Sequence, residues 1–171
     1  MSWTQLLFSF KGRIQRLYWW VTSLVVAVVA GMTTSTLDFV AQSYGIGMVD
    51  PETQQFEPTG PIAVALFVVA IVNLWVNFAL SVKRLHDRDR SGWWLVVQTL
   101  LLSIAIVLFV VAFVVPEEQS TPWFVVASVA GVVALGVSLW LFVEIGFLRG
   151  TQGPNRFGPD PLGQTKADAN L

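Results

Sequence analysis

Lys83, Arg84, His86, Asp87, Arg88, Asp89 and Arg90 put four bases, two acids and the chain's one histidine into eight residues. Arg88 and Arg90 alternate with Asp87 and Asp89, so some charges can pair locally and leave a fixed, partly neutralised guanidinium fork. Such a fork suits phosphate or carboxylate. Ser91 and Gly92 follow, placed to cap a helix that opens at Trp93 and Trp94, and a helix N-terminus also favours an anion. His86 has an ordinary pKa suited to proton transfer or pH sensing. Between Leu85 and Asp87, its plainer role is an interfacial hydrogen bond.

All ten Lys and Arg residues fall in three polar segments. Lys11, Arg13 and Arg16 form the first, the 83–90 stretch the second, and Arg149, Arg156 and Lys166 the third. The other two connections hold only acids: Asp38, Asp50, Glu52 and Glu57, then Glu117 and Glu118. Short loops rich in Lys and Arg stay on the cytoplasmic side of a membrane. One placement satisfies every base: four crossings, with both termini inside. The plain role of these bases is to hold loops in place and touch anionic headgroups, at about 1 kcal/mol each. The density at 83–90 exceeds what orientation requires.

The elements that must position these groups are long apolar runs. A crossing helix needs about 20 apolar residues. The runs are about 17–39, 61–82, 93–115 and 123–148, followed by a polar tail over 150–171. They show no period-two alternation, which sets aside an outer-membrane barrel. The fold class expected is therefore an all-α membrane protein of four transmembrane helices, N-in/C-in, forming a single polytopic domain over 1–171. Tyr18, Trp19, Trp20, Trp93, Trp94 and Trp123 mark the interfaces as an aromatic belt. The 40–60 connection reads as an external loop with a short turn near Asp50-Pro51, and 116–122 as a tight external hairpin. The end of the tail is expected to be disordered.

Composition bounds the function. Hydrophobic residues are 54% and charged residues 12%, against about 25% charged in soluble domains. Net charge is −1, so no global basic field attracts nucleic acid. With no Cys and one His, a disulfide framework, lipidated cysteines and thiolate or multi-histidine metal sites are excluded, and no cofactor is implied. The bases follow the first apolar residues rather than precede them, so the first span reads as a retained signal anchor.

Within the spans, Asn73, Asn77 and Ser81 recur every four residues on one face, a pattern that suits interhelical hydrogen bonds. Gln98 lies in the third run. Glu144 lies about 6 Å before the end of the fourth, where an intramembrane carboxylate needs a cation or a proton. An Arg or Lys of the first motif or of the 83–90 stretch is expected to approach it, with Arg84 or Arg13 favoured, since each sits just beyond a helix end. Ala127 with Gly131, and Gly146 with Gly150, allow close helix approach and a homo-oligomer or another membrane protein as partner.

Three inner segments carry a resemblance. Gly12-Arg13-Ile14-Gln15-Arg16-Leu17-Tyr18-Trp19, Arg84-Leu85-His86-Asp87 with Ser91-Gly92-Trp93-Trp94, and Gly153-Pro154-Asn155-Arg156-Phe157-Gly158-Pro159-Asp160-Pro161 together resemble the bacterial inner-membrane domain-of-unknown-function 805 family. Members often carry an acid where Leu17 stands, so no acid-dependent role carries over to that position. The resemblance implies a multi-pass protein of the bacterial cytoplasmic membrane and assigns it no biochemical activity.

The leading reading is a non-enzymatic binding or assembly protein. Its cytoplasmic-face cluster of Arg13, Arg16, Arg84, His86, Asp87, Arg88, Arg90, Ser91, Trp93, Trp94, Glu144, Asn155 and Arg156 would engage anionic lipid headgroups or a partner protein. The alternatives are a small oligomeric transporter or channel subunit, with Asn73, Asn77, Gln98 and Glu144 lining a path, and an intramembrane enzyme acting on a lipid headgroup. No metal set, nucleophile elbow or phosphate loop supports the last.

Overall fold

A computed structural model describes residues 2–163 of the chain. The polar end expected to be disordered falls largely on 164–171, outside the described residues. The described part is mostly helical: α1 Trp3–Phe8, α2 Arg16–Tyr44, α3 Gly60–Asp87, α4 Trp93–Val114 and α5 Glu117–Gly146, with strands β1 Gly47–Val49 and β2 Phe56–Pro58. Helices α2 to α5 are each long and apolar enough to cross a membrane. Their apolar side chains face outward: Phe67 is 67% exposed and Val132 69%. In water such surface would drive aggregation; in a bilayer it is the lipid contact.

Local chemistry sets the ends. Ser2 and Gln5 form a reciprocal capping box on α1, which satisfies two orphan donors. Helix α2 ends in a Schellman motif. Gly45 sits at φ +62, Ile46 N–H donates to Ala41 O at 2.8 Å, and Gly45 N–H to Gln42 O at 3.3 Å. A left-handed residue here costs glycine little. Inside α2, Thr33 and Thr36 hydroxyls donate back to Val29 O and Met32 O, each at 2.8 Å, so these two are not left bare in lipid; the Ser23 hydroxyl of the same helix is buried without a partner among the described residues.

The chain divides into two compact units. One comprises Met1–Ser9 and Trp20–Leu80; the other comprises Phe10–Trp19 and Ser81–Leu171. The first holds α1, most of α2 and α3, and the antiparallel β1–β2 hairpin, whose register pairs Met48 with Glu57. The hairpin is a small addition to the expected all-α class, and it gives the 40–60 connection two short strands on either side of the turn expected near Asp50-Pro51. Asp50 Oδ1 accepts from Glu52 N–H at 2.8 Å and Thr53 N–H at 2.7 Å, building a turn that lets two short strands pair. Asn77 Nδ2 donates to Asn73 O at 2.9 Å and Oδ1 at 3.0 Å. This pair, expected to bond between helices, bonds within α3, because residues four apart stand one above the other.

The second unit holds the α4–α5 hairpin, the helices' densest packing, with the first turn of α2, the last two turns of α3 and the tail. Gln98 Nε2 donates across the hairpin to Ser138 Oγ at 3.1 Å. Helix α5 starts at Glu117 rather than after Pro122. Its first turn needs no internal donors, two acids favour the positive dipole end, and Pro122 removes one internal bond.

Candidate functional site

The last turns of α3 carry Lys83, Arg84, His86 and Asp87 into the second unit, where the 10–16 segment and the tail meet them. Arg84 and Lys83 are fully buried. Arg13 is 6% exposed, although the sequence places it in a polar loop. Buried charges need partners and full hydrogen bonding, and Arg13, Arg84 and Asp87 have them.

Asp87 is the centre. Its Oδ1 accepts from Arg13 Nε at 3.1 Å, and its Oδ2 pairs with Arg84 Nη1. The remaining guanidinium N–H groups turn to backbone carbonyls. Arg13 Nη1 donates to Gly153 O at 2.8 Å and Gly158 O at 3.2 Å, and Nη2 to Thr151 O at 2.6 Å. Arg84 donates from Nε to Ile145 O at 2.8 Å and from Nη2 to Leu148 O. The carbonyls at 145 and 148 belong to the end of α5, whose last turn lacks internal donors and favours a cation.

The tail closes on the same centre. Thr151 N–H donates to Asp87 O at 2.8 Å. Asn155 Nδ2 donates to His86 O and to Thr151 Oγ1, each at 2.9 Å. The His86 ring stacks on Phe157, with centroids 3.8 Å apart and planes 6° apart, and its Nδ1 lies 3.3 Å from Gly12 O. Arg156 covers Phe157 at 4.8 Å and pairs with Asp89 at 3.1 Å. Gly150 is required by contact: a Cβ there would collide with the Asp87 carboxylate.

A second cluster surrounds Glu144, which is 3% exposed. Its Oε1 lies 3.3 Å from both Arg88 Nε and Arg90 Nε. Arg13 and Arg84, the partners favoured from sequence, are committed to Asp87 instead. Helical geometry explains the switch: Arg84 and Asp87 are one turn apart on the same face. Arg88 and Arg90 lie past the end of α3, where the chain turns back through Asp89 at φ +55. Arg90 also lies 5.9 Å from the Trp140 ring, which Trp94 meets edge-on at 5.0 Å. Trp93 is 71% exposed. Ser91 Oγ accepts from Trp93 N–H at 3.4 Å, while Gly92 is the N-cap of α4 without a side-chain cap bond.

Beside Asp87, at the start of α2 and just past the end of α5, lies a cavity of about 470 Å³. Asp87 lines it, as do Arg16, Leu17, Arg149 and Asp160. His86 and Glu144 do not. Arg16 is exposed, with one N–H donating to Phe147 O at 2.8 Å. The Arg149 side chain is exposed and forms no ion pair among the described residues. Asp160 Oδ2 accepts from Gly153 N–H and Oδ1 from Leu162 N–H, each at 2.9 Å. These backbone donors, Gly153 first, hold its carboxyl below the usual carboxylate value.

Arg149, Thr151, Phe157 and Asp160 are absent from the residues singled out in sequence. Phe157 and Asp160 stand inside the tail motif that carried the family resemblance, so that motif held the signal. Nothing in the sequence marks Arg149 beyond its charge. The buried Lys83 likewise reads there as one more loop base. Among the described residues, no group of acids and histidine could hold a metal ion.

Known proteins share the chain's sequence over most of its length. The sequence pattern of the family described as "Protein of unknown function (DUF805)" matches residues 7–159. Uncharacterized protein YiiR of Escherichia coli K12 is 28% identical over 160 residues, 94% of this chain and 90% of YiiR. Inner membrane protein YhaH of the same strain is 23% identical over 153 residues, 90% of this chain and 87% of YhaH. No solved structure matches the chain.

Proposed function

The chain belongs to the DUF805 family, whose description assigns no activity, and from that premise we propose a non-enzymatic protein of the bacterial cytoplasmic membrane that binds phospholipid headgroups through their anionic phosphate. Both termini lie in the cytoplasm in this reading, because every Lys and Arg then falls inside. The inner-membrane location draws on the name of the relative YhaH.

One observation carries the binding role. Arg16 and Arg149 stand exposed on the same cavity, at the boundary where two spanning helices end. Their neighbours Arg13 and Arg84 are buried and engaged by Asp87 and by carbonyls, so they build the frame rather than the contact. Exposed guanidinium groups at headgroup depth are matched to phosphate in charge and fork geometry.

The test is native mass spectrometry of the purified protein with its co-purifying phospholipid. Arg16→Ala with Arg149→Ala should lower the retained phospholipid and leave the melting temperature close to that of the parent. The Arg149 change keeps the backbone carbonyl that Arg88 uses. Unchanged retention in this double variant overturns the reading.

A further inference from the structure

The cavity beside Asp87 is not uniformly basic. Arg16 and Arg149 supply two positive groups on its lining, and Asp160 supplies a negative one. The other acid, Asp87, is neutralised from behind by Arg13 and Arg84. A simple anion would meet the Asp160 carboxylate; a simple cation would meet two guanidinium groups. Only a group carrying both charges satisfies both sides of the cavity.

We infer that the cavity takes a phosphoethanolamine-type lipid headgroup, with the phosphate at Arg16 and Arg149 and the primary ammonium at Asp160. The inference rests on the phosphate-binding reading above and adds the second charge. Asp160 can serve the ammonium without leaving the tail. Its oxygens accept backbone N–H bonds, Oδ2 from Gly153 and Oδ1 from Leu162, and the Gly163 N–H adds a smaller contribution; the two oxygens together offer about four lone-pair sites, so one is left for the ammonium. Those same bonds keep it ionised at neutral pH. At about 470 Å³ the cavity lies in the usual range of small-ligand sites. The source is a lipid rather than a soluble phosphoethanolamine because Leu17, 67% exposed, and Leu162, 41% exposed, give the lining apolar side chains beside the start of a spanning helix.

A methylation series on the unaltered protein tests this without disturbing the tail. The protein is offered phosphatidylethanolamine, its N-methyl and N,N-dimethyl derivatives, phosphatidylcholine and phosphatidylglycerol in mixed micelles, and bound lipid is counted by native mass spectrometry. Retention should fall most sharply at phosphatidylcholine, where the third methyl removes the last N–H that can donate to Asp160. The end-to-end preference should be about tenfold, the size of one charge-assisted hydrogen bond. Phosphatidylglycerol should bind as weakly as phosphatidylcholine. Asp160→Asn should level the series, and hydrogen exchange at Thr151, whose N–H donates to Asp87 O, should show the tail still docked. Equal retention of all five lipids, lost in Arg149→Ala, overturns the ammonium assignment and leaves phosphate binding standing. Equal retention that Arg149→Ala leaves unchanged overturns both. Displacement of the bound lipid by soluble phosphoethanolamine overturns the lipid source.

Discussion

The Asp87 carboxylate is shared between two buried guanidinium groups, Arg13 on Oδ1 at 3.1 Å and Arg84 on Oδ2. Arg13 precedes α2, whereas Arg84 and Asp87 end α3. One carboxylate therefore joins two chain segments that are 74 residues apart.

Removing that carboxylate strands two cations with side chains at most 1% exposed. Breaking a buried pair by deleting one partner costs about 3–5 kcal/mol. Asp87→Ala should therefore be severely destabilised in detergent, read as the loss of a cooperative thermal transition or a large drop in its midpoint. Adding Arg13→Met should recover part of the loss, because one stranded charge is removed. A single variant that melts like the parent would contradict the bridging role.

Glu144 should behave differently. It is buried, but its partners Arg88 and Arg90 have side chains 24% and 47% exposed. Water can take them back when the carboxylate is lost. We expect Glu144→Gln to cost about 1 kcal/mol, in the range of partly exposed pairs. Asp87→Asn, the matched isosteric change, should cost clearly more in the same melting experiment. The reverse order would show that Glu144, rather than Asp87, is the centre of the charged cluster.

Gly150→Ala tests the contact between the tail and the centre. The added methyl has no room beside the Asp87 carboxylate, and overpacking of this kind costs about 1–3 kcal/mol. The tail should become more sensitive to protease in the variant, while Gly153→Ala should strain a left-handed position at φ +77 without any such collision. Equal protease sensitivity in Gly150→Ala and the parent would show that the tail is not held through Asp87.

Docking of the tail should depend on pH through Asp160. Backbone N–H groups of Gly153 and Leu162 lower its pKa below the ordinary 3.8. A carboxyl whose folded pKa is depressed stabilises fully above its unfolded pKa and loses that contribution as pH falls through the folded one. Amide protection at Gly153 should hold at neutral pH, weaken only below 3.8, and lose this dependence in Asp160→Asn. Hydrogen exchange across an acid series reads it. Loss of protection well above the ordinary carboxylate range would point to another group.

Orientation is open to a reporter assay. A cytoplasm-only reporter fused after Leu171 or within the 83–92 segment should give signal. The same reporter in the 47–58 hairpin should be silent, since the 40–60 connection carries no Lys or Arg. Signal from the hairpin fusion would reverse the assignment.

The four spanning helices were legible from composition alone. A bilayer forces any long apolar run to bond its own backbone, so run length and helix nearly coincide. The bases of the inner segments were legible as a group for the same reason, since lipid excludes them. Their partners were not. Arg13, Arg84, Arg88 and Arg90 look equivalent on the page, yet two become buried struts around Asp87 and two share Glu144. That division depends on where the ends of α3 and α5 bring carboxylates and bare carbonyls, and on how the tail folds back over them. The cavity of Arg16, Arg149 and Asp160 is likewise a product of chain closure. Its residues are 133 and 11 apart in sequence, and no local pattern couples them. Sequence determined what the membrane would accept and which segments it would expel; only the tertiary structure decided which expelled charges neutralise one another and which stay exposed.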